Sequence, residues 1–169
     1  MTPLPKIALA AVAAVAGLLA GSAPATTISR DQWDQAGAAC QSTTPSAASQ
    51  VRQQAAGMRV EGAASEFVIC QYASTSGTFS LAVIDFSSID GADHILKCTA
   101  MRGTPSHVPA YSTKSVSTKD NFYPEIFWTP VDFGETSDFG NSLFSVTCLL
   151  PPGVALVNTG ARYTEDVGS

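Results

Sequence analysis

The residues with the most distinctive chemistry in this chain are its four cysteines, Cys40, Cys70, Cys98 and Cys148. A reactive thiol needs access to solvent and a lowered pKa, which a nearby cation or a helix N-terminus usually provides. The segment LFSVTCLLPPG offers neither to Cys148, because strand alternation places its sulfur on the apolar face. We therefore interpret the cysteines as structural rather than catalytic.

The two histidines, His94 and His107, are candidates for a nucleophilic triad, in which an imidazole lies between a serine and an acid. His94 follows Asp93 at a predicted turn, and His107 lies in a proline-flanked loop. The sequence has no Gly-x-Ser-x-Gly elbow. We interpret both histidines as solvated turn residues, with an exported hydrolase that uses either of them and nearby acids as an alternative.

Acidic residues cluster late in the chain, at Glu125, Asp132, Glu135 and Asp138. Paired carboxylates could hydrolyse glycosides, and oxygen ligands could bind calcium. The segment DFGETSD lacks the alternating ligands and the closing glutamate of an EF-hand loop, and we interpret it as a solvated acidic loop. No Cys-x-x-Cys spacing occurs, so the sequence predicts no catalytic residue, no metal and no cofactor.

An aromatic cluster lies between positions 122 and 133. Aromatic rings exposed on a β scaffold can bind sugars or peptides, because they are large, rigid and amphipathic. The candidate binding residues are Phe122, Tyr123, Phe127 and Trp128. The alternative is that the rings fill the core, and alternation would place Trp128 on one face of a strand and Phe127 on the other.

The N-terminus has the pattern of a secretory signal peptide. Lys6 precedes an apolar run over residues 7–20, and GSAPA then supplies a small-x-small cleavage site. The run is shorter than the about 20 residues that a membrane-spanning helix needs. We predict a signal peptide over residues 1–25 and a secreted or periplasmic domain over residues 26–169, with no membrane span after signal removal.

Length and charge narrow the remaining possibilities. A chain of 169 residues fits one domain after removal of the leader. The net charge is −5, and lysines and arginines are scattered. Nucleic acids and anionic lipids require basic patches, so the sequence predicts neither partner.

An even number of cysteines in an exported chain predicts two disulfides. Four cysteines allow three connectivities, and we favour Cys70–Cys98 with Cys40–Cys148. The first bridge would join two nearby strands, and the second would tie the N-terminal segment to a late strand. The main rival is Cys70–Cys148 with Cys40–Cys98.

Short strands with frequent turns dominate the hydrophobic pattern. We predict strands over residues 65–72, 77–86, 94–101, 124–133 and 142–150, with one or two more in the final VALVNTGARYTED. Asp90-Gly91 predicts a hairpin turn between the second and third of these. Residues 102–121 read as a long loop or a weak edge strand.

Helical signals are confined to the N-terminal third. Thr44, Pro45 and Gly57 suit the cap, first position and stop of a short helix over residues 44–57. The segment SRDQWDQ could open another helix with a capping box at Ser29, or be a frayed terminus. The pattern as a whole predicts a mainly β fold, an antiparallel β-sandwich or small barrel with one short N-terminal helix.

The motifs ACQSTTPSAA, FVIC, LKC, FSVTCLLPPG and YTED occur in this order along the chain. With these motifs the chain resembles a broad group of small exported bacterial proteins that have four cysteines and no established activity. The resemblance covers most of residues 26–169 and implies an exported, disulfide-linked β fold without a mechanism. Gln71 departs from the pattern, since a proline is expected after the second cysteine.

These observations favour a non-enzymatic exported β domain that acts by binding or in the structure of the cell envelope. Its partner would be an unidentified protein or glycan. The alternatives are the exported hydrolase and a secreted enzyme inhibitor that presents a loop such as residues 102–121. An exposed aromatic patch would favour binding, a pocket with converging polar groups would favour the hydrolase, and a protruding loop would favour the inhibitor.

Overall fold

The computed structural model describes residues 26–44, 49–72, 78–104, 107–119, 124–140 and 143–168. These residues form two antiparallel sheets that pack face to face, with one short helix and two disulfides. The predicted β-sandwich is therefore confirmed. The predicted signal peptide lies outside the described residues.

The larger sheet has six strands. Their bounds are β1 Thr27–Gln35, β3 Val51–Gln54, β4 Gly57–Val60, β6 Thr78–Ser88, β9 Glu125–Trp128 and β11 Val154–Asp166. The order across the sheet is β3-β4-β11-β6-β9, and β1 pairs with β11 beyond the end of β4. The long strand β11 is thus the centre of this sheet.

The second sheet has five strands. Their bounds are β2 Cys40–Ser42, β5 Glu66–Tyr72, β7 Ile95–Thr104, β8 His107–Ser117 and β10 Leu143–Leu150, in the order β2-β5-β10-β7-β8. The four-residue helix α1, Ala36–Ala39, joins β1 to β2, and a 3₁₀ helix, Pro130–Phe133, follows β9. Each sheet is therefore built from strands of both halves of the chain.

The core lies between the sheets, where alternating residues of each strand meet. On β10, Phe144, Val146, Cys148 and Leu150 are buried, and the residues that alternate with them face outward. Burying one such side chain stabilises the fold by about 1.5–3 kcal/mol. Tyr72 adds a polar link across the core, since its hydroxyl donates to the carbonyl of Val83 on the other sheet at 2.6 Å.

The predicted disulfide pairings are both wrong. The bridges are Cys40–Cys70 and Cys98–Cys148, each between residues directly opposite on neighbouring antiparallel strands. The Cα–Cα distances are 4.0 and 4.1 Å. Pairing depends on which strands are neighbours in the sheet, and β10 lies beside β7 although β8 and β9 separate them in the chain.

The helix predicted over residues 44–57 is also wrong within the described residues. Val51–Gln54 and Gly57–Val60 form a hairpin instead, and the one helix is α1. Gly57 is not a helix stop but a close contact in the sheet. Its φ is +133°, and a Cβ there would lie 2.2 Å from the carbonyl oxygen of Leu156.

Four further expectations have mixed outcomes. The segment SRDQWDQ is part of β1, so the capping box at Ser29 does not form a helix. The Asp90-Gly91 turn exists, with Gly91 at φ +74°, but it joins the two sheets rather than closing a hairpin. Within residues 102–121, β8 is an edge strand, as one reading predicted. The final VALVNTGARYTED is a single strand, β11.

Candidate functional site

The surroundings of His94 do not form a nucleophilic triad. Its Nε2 lies 2.9 Å from Oδ1 of Asp90, and the hydroxyl of Ser88 donates to the same carboxylate at 3.1 Å. In a triad the serine contacts the imidazole, whereas here it contacts the acid. The cluster instead stabilises the segment that crosses from β6 to β7, between the two sheets. This segment contacts the β10–β11 turn, where the backbone N–H of Ile89 donates to the carbonyl of Gly153 at 2.8 Å. The side chain of His107 lies outside the described part of the structure.

The predicted acidic cluster is divided among separate partners. Asp132 accepts from Lys114 at 2.8 Å, and Arg102 donates to Glu135 at 2.6 Å. Burial alone would raise the pKa of Asp132, but hydrogen bonds from Lys114 and Thr129 hold that pKa below its ordinary value. Within the described ranges, no group of three His, Cys, Asp or Glu side chains is placed to hold a metal ion.

An open cleft of about 540 Å³ lies beside β1 and the end of β5. Its lining residues are Gln32, Asp34, Ala38, Ala39, Gln71, Tyr72 and Leu143. This lining contains one carboxylate and neither a histidine nor a serine. The cleft therefore provides no pair of nucleophile and base.

The predicted aromatic binding residues are separated by the alternation of β9. Phe127 is 49% exposed on the outer face of the six-stranded sheet. Trp128 is fully buried in the core, and its indole N–H donates to the carbonyl of Ser112 at 3.2 Å. Trp128 therefore contributes nothing to an exposed surface, while Phe122 and Tyr123 lie outside the described residues.

A second exposed aromatic residue, Trp33, lies on the same outer face as Phe127. The strand registers pair Trp33 with Gly160, Gly160 with Val83, and Val83 with Phe127. These residues form one transverse row across four strands, which we call the aromatic row. Neighbouring strands lie about 4.8 Å apart, so the row is about 14 Å long.

Trp33 covers Gly160 with the face of its ring. A Cβ built on Gly160 would lie 2.7, 2.8 and 3.0 Å from Cζ3, Cε3 and Cη2 of the indole. Three consecutive ring atoms at nearly equal distances mean that the ring face, rather than its edge, meets the backbone. The indole is still 56% exposed, so its other face is open to solvent.

Polar side chains line one side of the aromatic row. They stand two residues further along each strand, at Gln35, Asn158, Asp85 and Glu125, and we call them the polar row. Burial, and then the charge of Glu125, raise the pKa of Asp85, while a hydrogen bond from Asn158 opposes this rise. Neither carboxylate forms an ion pair within the part of the chain that the structure describes.

An ion pair and a cation–π contact lie at the two ends of this face. Beside Trp33, Arg162 donates to Asp31 at 2.7 Å from the neighbouring strand. At the far end, the ammonium group of Lys114 lies 5.1 Å from the ring centre of Phe127. Lys114 therefore contacts the Phe127 end of the aromatic row, and the Arg162–Asp31 pair lies beside the Trp33 end. The arrangement can bind a ligand with flat apolar faces and hydrogen-bonding edges.

The sequence reasoning missed Trp33, because the segment around it was read as a helix cap or a frayed end. One signal was available. Gly160 is the one glycine inside the predicted late strand VALVNTGARYTED, and an isolated glycine in a strand often marks the close approach of another group. Here that group is the indole of Trp33.

Comparisons with known proteins identify no relative, since no protein-family model, no curated protein and no solved structure matches this chain. No helix among the described residues has the length and apolar character needed to cross a membrane.

Proposed function

We propose that this protein is an exported, non-enzymatic binding domain whose ligand lies on the outer face of the six-stranded sheet. The observation that carries the proposal is the indole of Trp33, which is flat against Gly160 and open to solvent in line with Phe127. A ring fixed in this way loses little conformational entropy when a ligand stacks on it.

The alternative functions have less support. Among the described residues, Nε2 of His94 contacts the carboxylate of Asp90 and no hydroxyl, and the lining of the open cleft contains no histidine, so neither place favours a hydrolase. The segment considered as an inhibitory loop contains β8, which pairs with β7 over most of its length. A strand held in a sheet differs from the protruding loop that an inhibitor presents.

The proposal is tested by co-sedimentation of the purified protein with the cell-envelope fraction of the source organism. We expect Trp33→Ala to weaken binding about tenfold or more, as truncation of a central aromatic contact usually does. Phe67→Ala is the matched control, because Phe67 is 54% exposed on the opposite sheet. Equal sedimentation of the wild type and Trp33→Ala would refute a role for this face.

A further inference from the structure

We infer that the ligand of this face is an uncharged polysaccharide chain that lies along the aromatic row, across the strands. The inference rests on the proposed function and adds the chemical class of the ligand and its direction. It depends on three features of the face: the two rings, the paired backbone beneath them and the polar row beside them.

The two rings fit sugar units better than they fit an irregular apolar surface. Trp33 and Phe127 stand at the ends of the row, while Gly160 lies under the indole of Trp33 and Val83 is only 7% exposed. The exposed apolar surface of the row therefore consists of the open face of the indole and the ring of Phe127, with little else exposed between them. A pyranose presents a flat patch of C–H groups that can stack on an aromatic ring, and the length of about 14 Å accommodates more than one unit.

The backbone under the row disfavours a peptide ligand. An extended peptide gains most of its affinity by adding a strand to a free sheet edge. Gly160 lies on β11, which is paired with β1 on one side and β6 on the other, and Val83 lies on β6 between β11 and β9. The backbone groups in the middle of the row are therefore already used, and a ligand must be recognised by side chains.

The polar row supplies what the hydroxyl groups of a sugar chain need. Carboxylates accept hydrogen bonds, and the amides of Gln35 and Asn158 can both donate and accept. The neighbouring carboxylates of Asp85 and Glu125 would repel an anionic polymer, because no cation pairs with either within the described residues. These groups therefore select a hydroxyl-rich ligand without negative charge.

The experiment uses the same co-sedimentation with three treatments of the envelope fraction. Periodate, which cleaves sugars at neighbouring hydroxyl groups, should reduce binding about tenfold or more, whereas prior digestion with a protease should not change it. Raising the salt from about 0.05 to about 0.5 M should also leave binding unchanged, because screening weakens only charged contacts. Envelope incubated in buffer alone is the control.

Variants connect these results to the aromatic row. Trp33→Phe, which keeps a ring, should retain more binding than Trp33→Ala, and Phe127→Ala should also weaken binding if the chain reaches across four strands. Full binding by Phe127→Ala would overturn the inferred direction of the chain.

Two further outcomes overturn the inference while leaving the proposed function standing. Loss of Trp33-dependent binding after protease, but not after periodate, would identify a protein ligand. Release by high salt would identify a charged ligand. If binding never depends on Trp33, the proposed function itself fails, so the two failures are distinguishable.

Discussion

At the scale of single residues, the contact between Trp33 and Gly160 decides how the binding face is presented. Glycine allows the indole to lie on the backbone, which a larger residue would prevent. A methyl group at position 160 would displace the exposed ring, so the position of the ring depends on the absence of that group. The orientation of the indole can therefore be altered by a substitution at position 160 that leaves Trp33 in place.

We expect Gly160→Ala to weaken ligand binding nearly as much as Trp33→Ala, with little loss of stability. The new Cβ would lie 2.7 Å from the indole, so the ring must move, and an exposed side chain moves cheaply. Quenching of tryptophan fluorescence by acrylamide should increase, because Trp33 loses its cover while Trp128 stays buried. Unchanged binding and quenching would show that the ring position is not needed.

Asp85 makes the free energy of unfolding of the protein depend on pH. Burial, and then Glu125, raise its pKa in the folded state, so the folded protein holds this proton more tightly than the unfolded chain does. The free energy of unfolding therefore falls as the pH rises above about 4 through the raised pKa. We expect Asp85→Asn to remove this loss and to stabilise the protein more at pH 7 than at pH 4.

The expected gain is less than about 1 kcal/mol, because a half-exposed carboxylate is partly screened by water. Urea unfolding at both pH values measures it. Glu125→Gln is the companion variant, and it should reduce the pH dependence of the wild type because it removes the second cause of the shift. A benefit of Asp85→Asn that is equal at both pH values would contradict this account.

At the scale of elements, the crossover from β6 to β7 is held by a side-chain cluster rather than by strand pairing. Asp90 accepts from His94, Ser88 and the backbone N–H of Ala92, and these bonds connect the two ends of the crossover. The turn chemistry of Asp90-Gly91 is thus used between sheets. This explains why the local signal for a turn was correct while the predicted hairpin was not.

We expect Asp90→Asn to make the protein less sensitive to acid. The hydrogen bond from His94, followed by that from Ala92, lowers the pKa of Asp90 in the folded state. A lowered carboxyl pKa contributes stability that is present above about pH 4 and is lost as the pH falls through the folded pKa. The urea midpoint of Asp90→Asn should therefore change less below pH 4 than that of the wild type, and an equally steep fall would contradict the assignment.

Most strands were predictable because their alternation and turn residues are local signals. In β10, Phe144 to Leu150 alternate cleanly between core and surface, and the double proline ends the run. The hairpin of β3 and β4 was not predictable, because the segment has helix-capping residues and a helical spacing of apolar residues. The pairing of Val51 with Val60 is not visible in either pattern. Phe127 was found by composition, whereas Trp33 required the register between β1 and β11.

At the scale of the whole molecule, the pairing of the cysteines depends on the order of the strands in the sheet, which local sequence patterns do not reveal. Cys98 and Cys148 meet because β7 and β10 are neighbours, and Cys40 meets Cys70 because β2 is added to the edge of β5. Peptide mapping without reductant distinguishes this pairing from the other two. Recovery of a Cys70–Cys98 peptide would refute the observed topology.

Removing either bridge should destabilise the protein by about 4 kcal/mol, since loops with separations of 50 and 30 residues differ little in closure entropy. The double variant Cys98→Ala with Cys148→Ala should lose at least as much as Cys40→Ala with Cys70→Ala, because β7 and β10 are interior strands while β2 is at the edge. Denaturant unfolding of both double variants measures the difference, and a smaller loss for the interior pair would contradict this ranking.

Both sulfur bridges belong to the five-stranded layer, so only the backbone joins the two layers covalently. When heat unfolds the oxidised chain, β2 stays tethered to β5 and β7 to β10, while every strand of the other layer is released. We expect refolding to begin from these tethered strand pairs, because the disulfides keep their registers aligned in the unfolded chain. The layer that carries Trp33 would then have to be rebuilt on them after each thermal cycle.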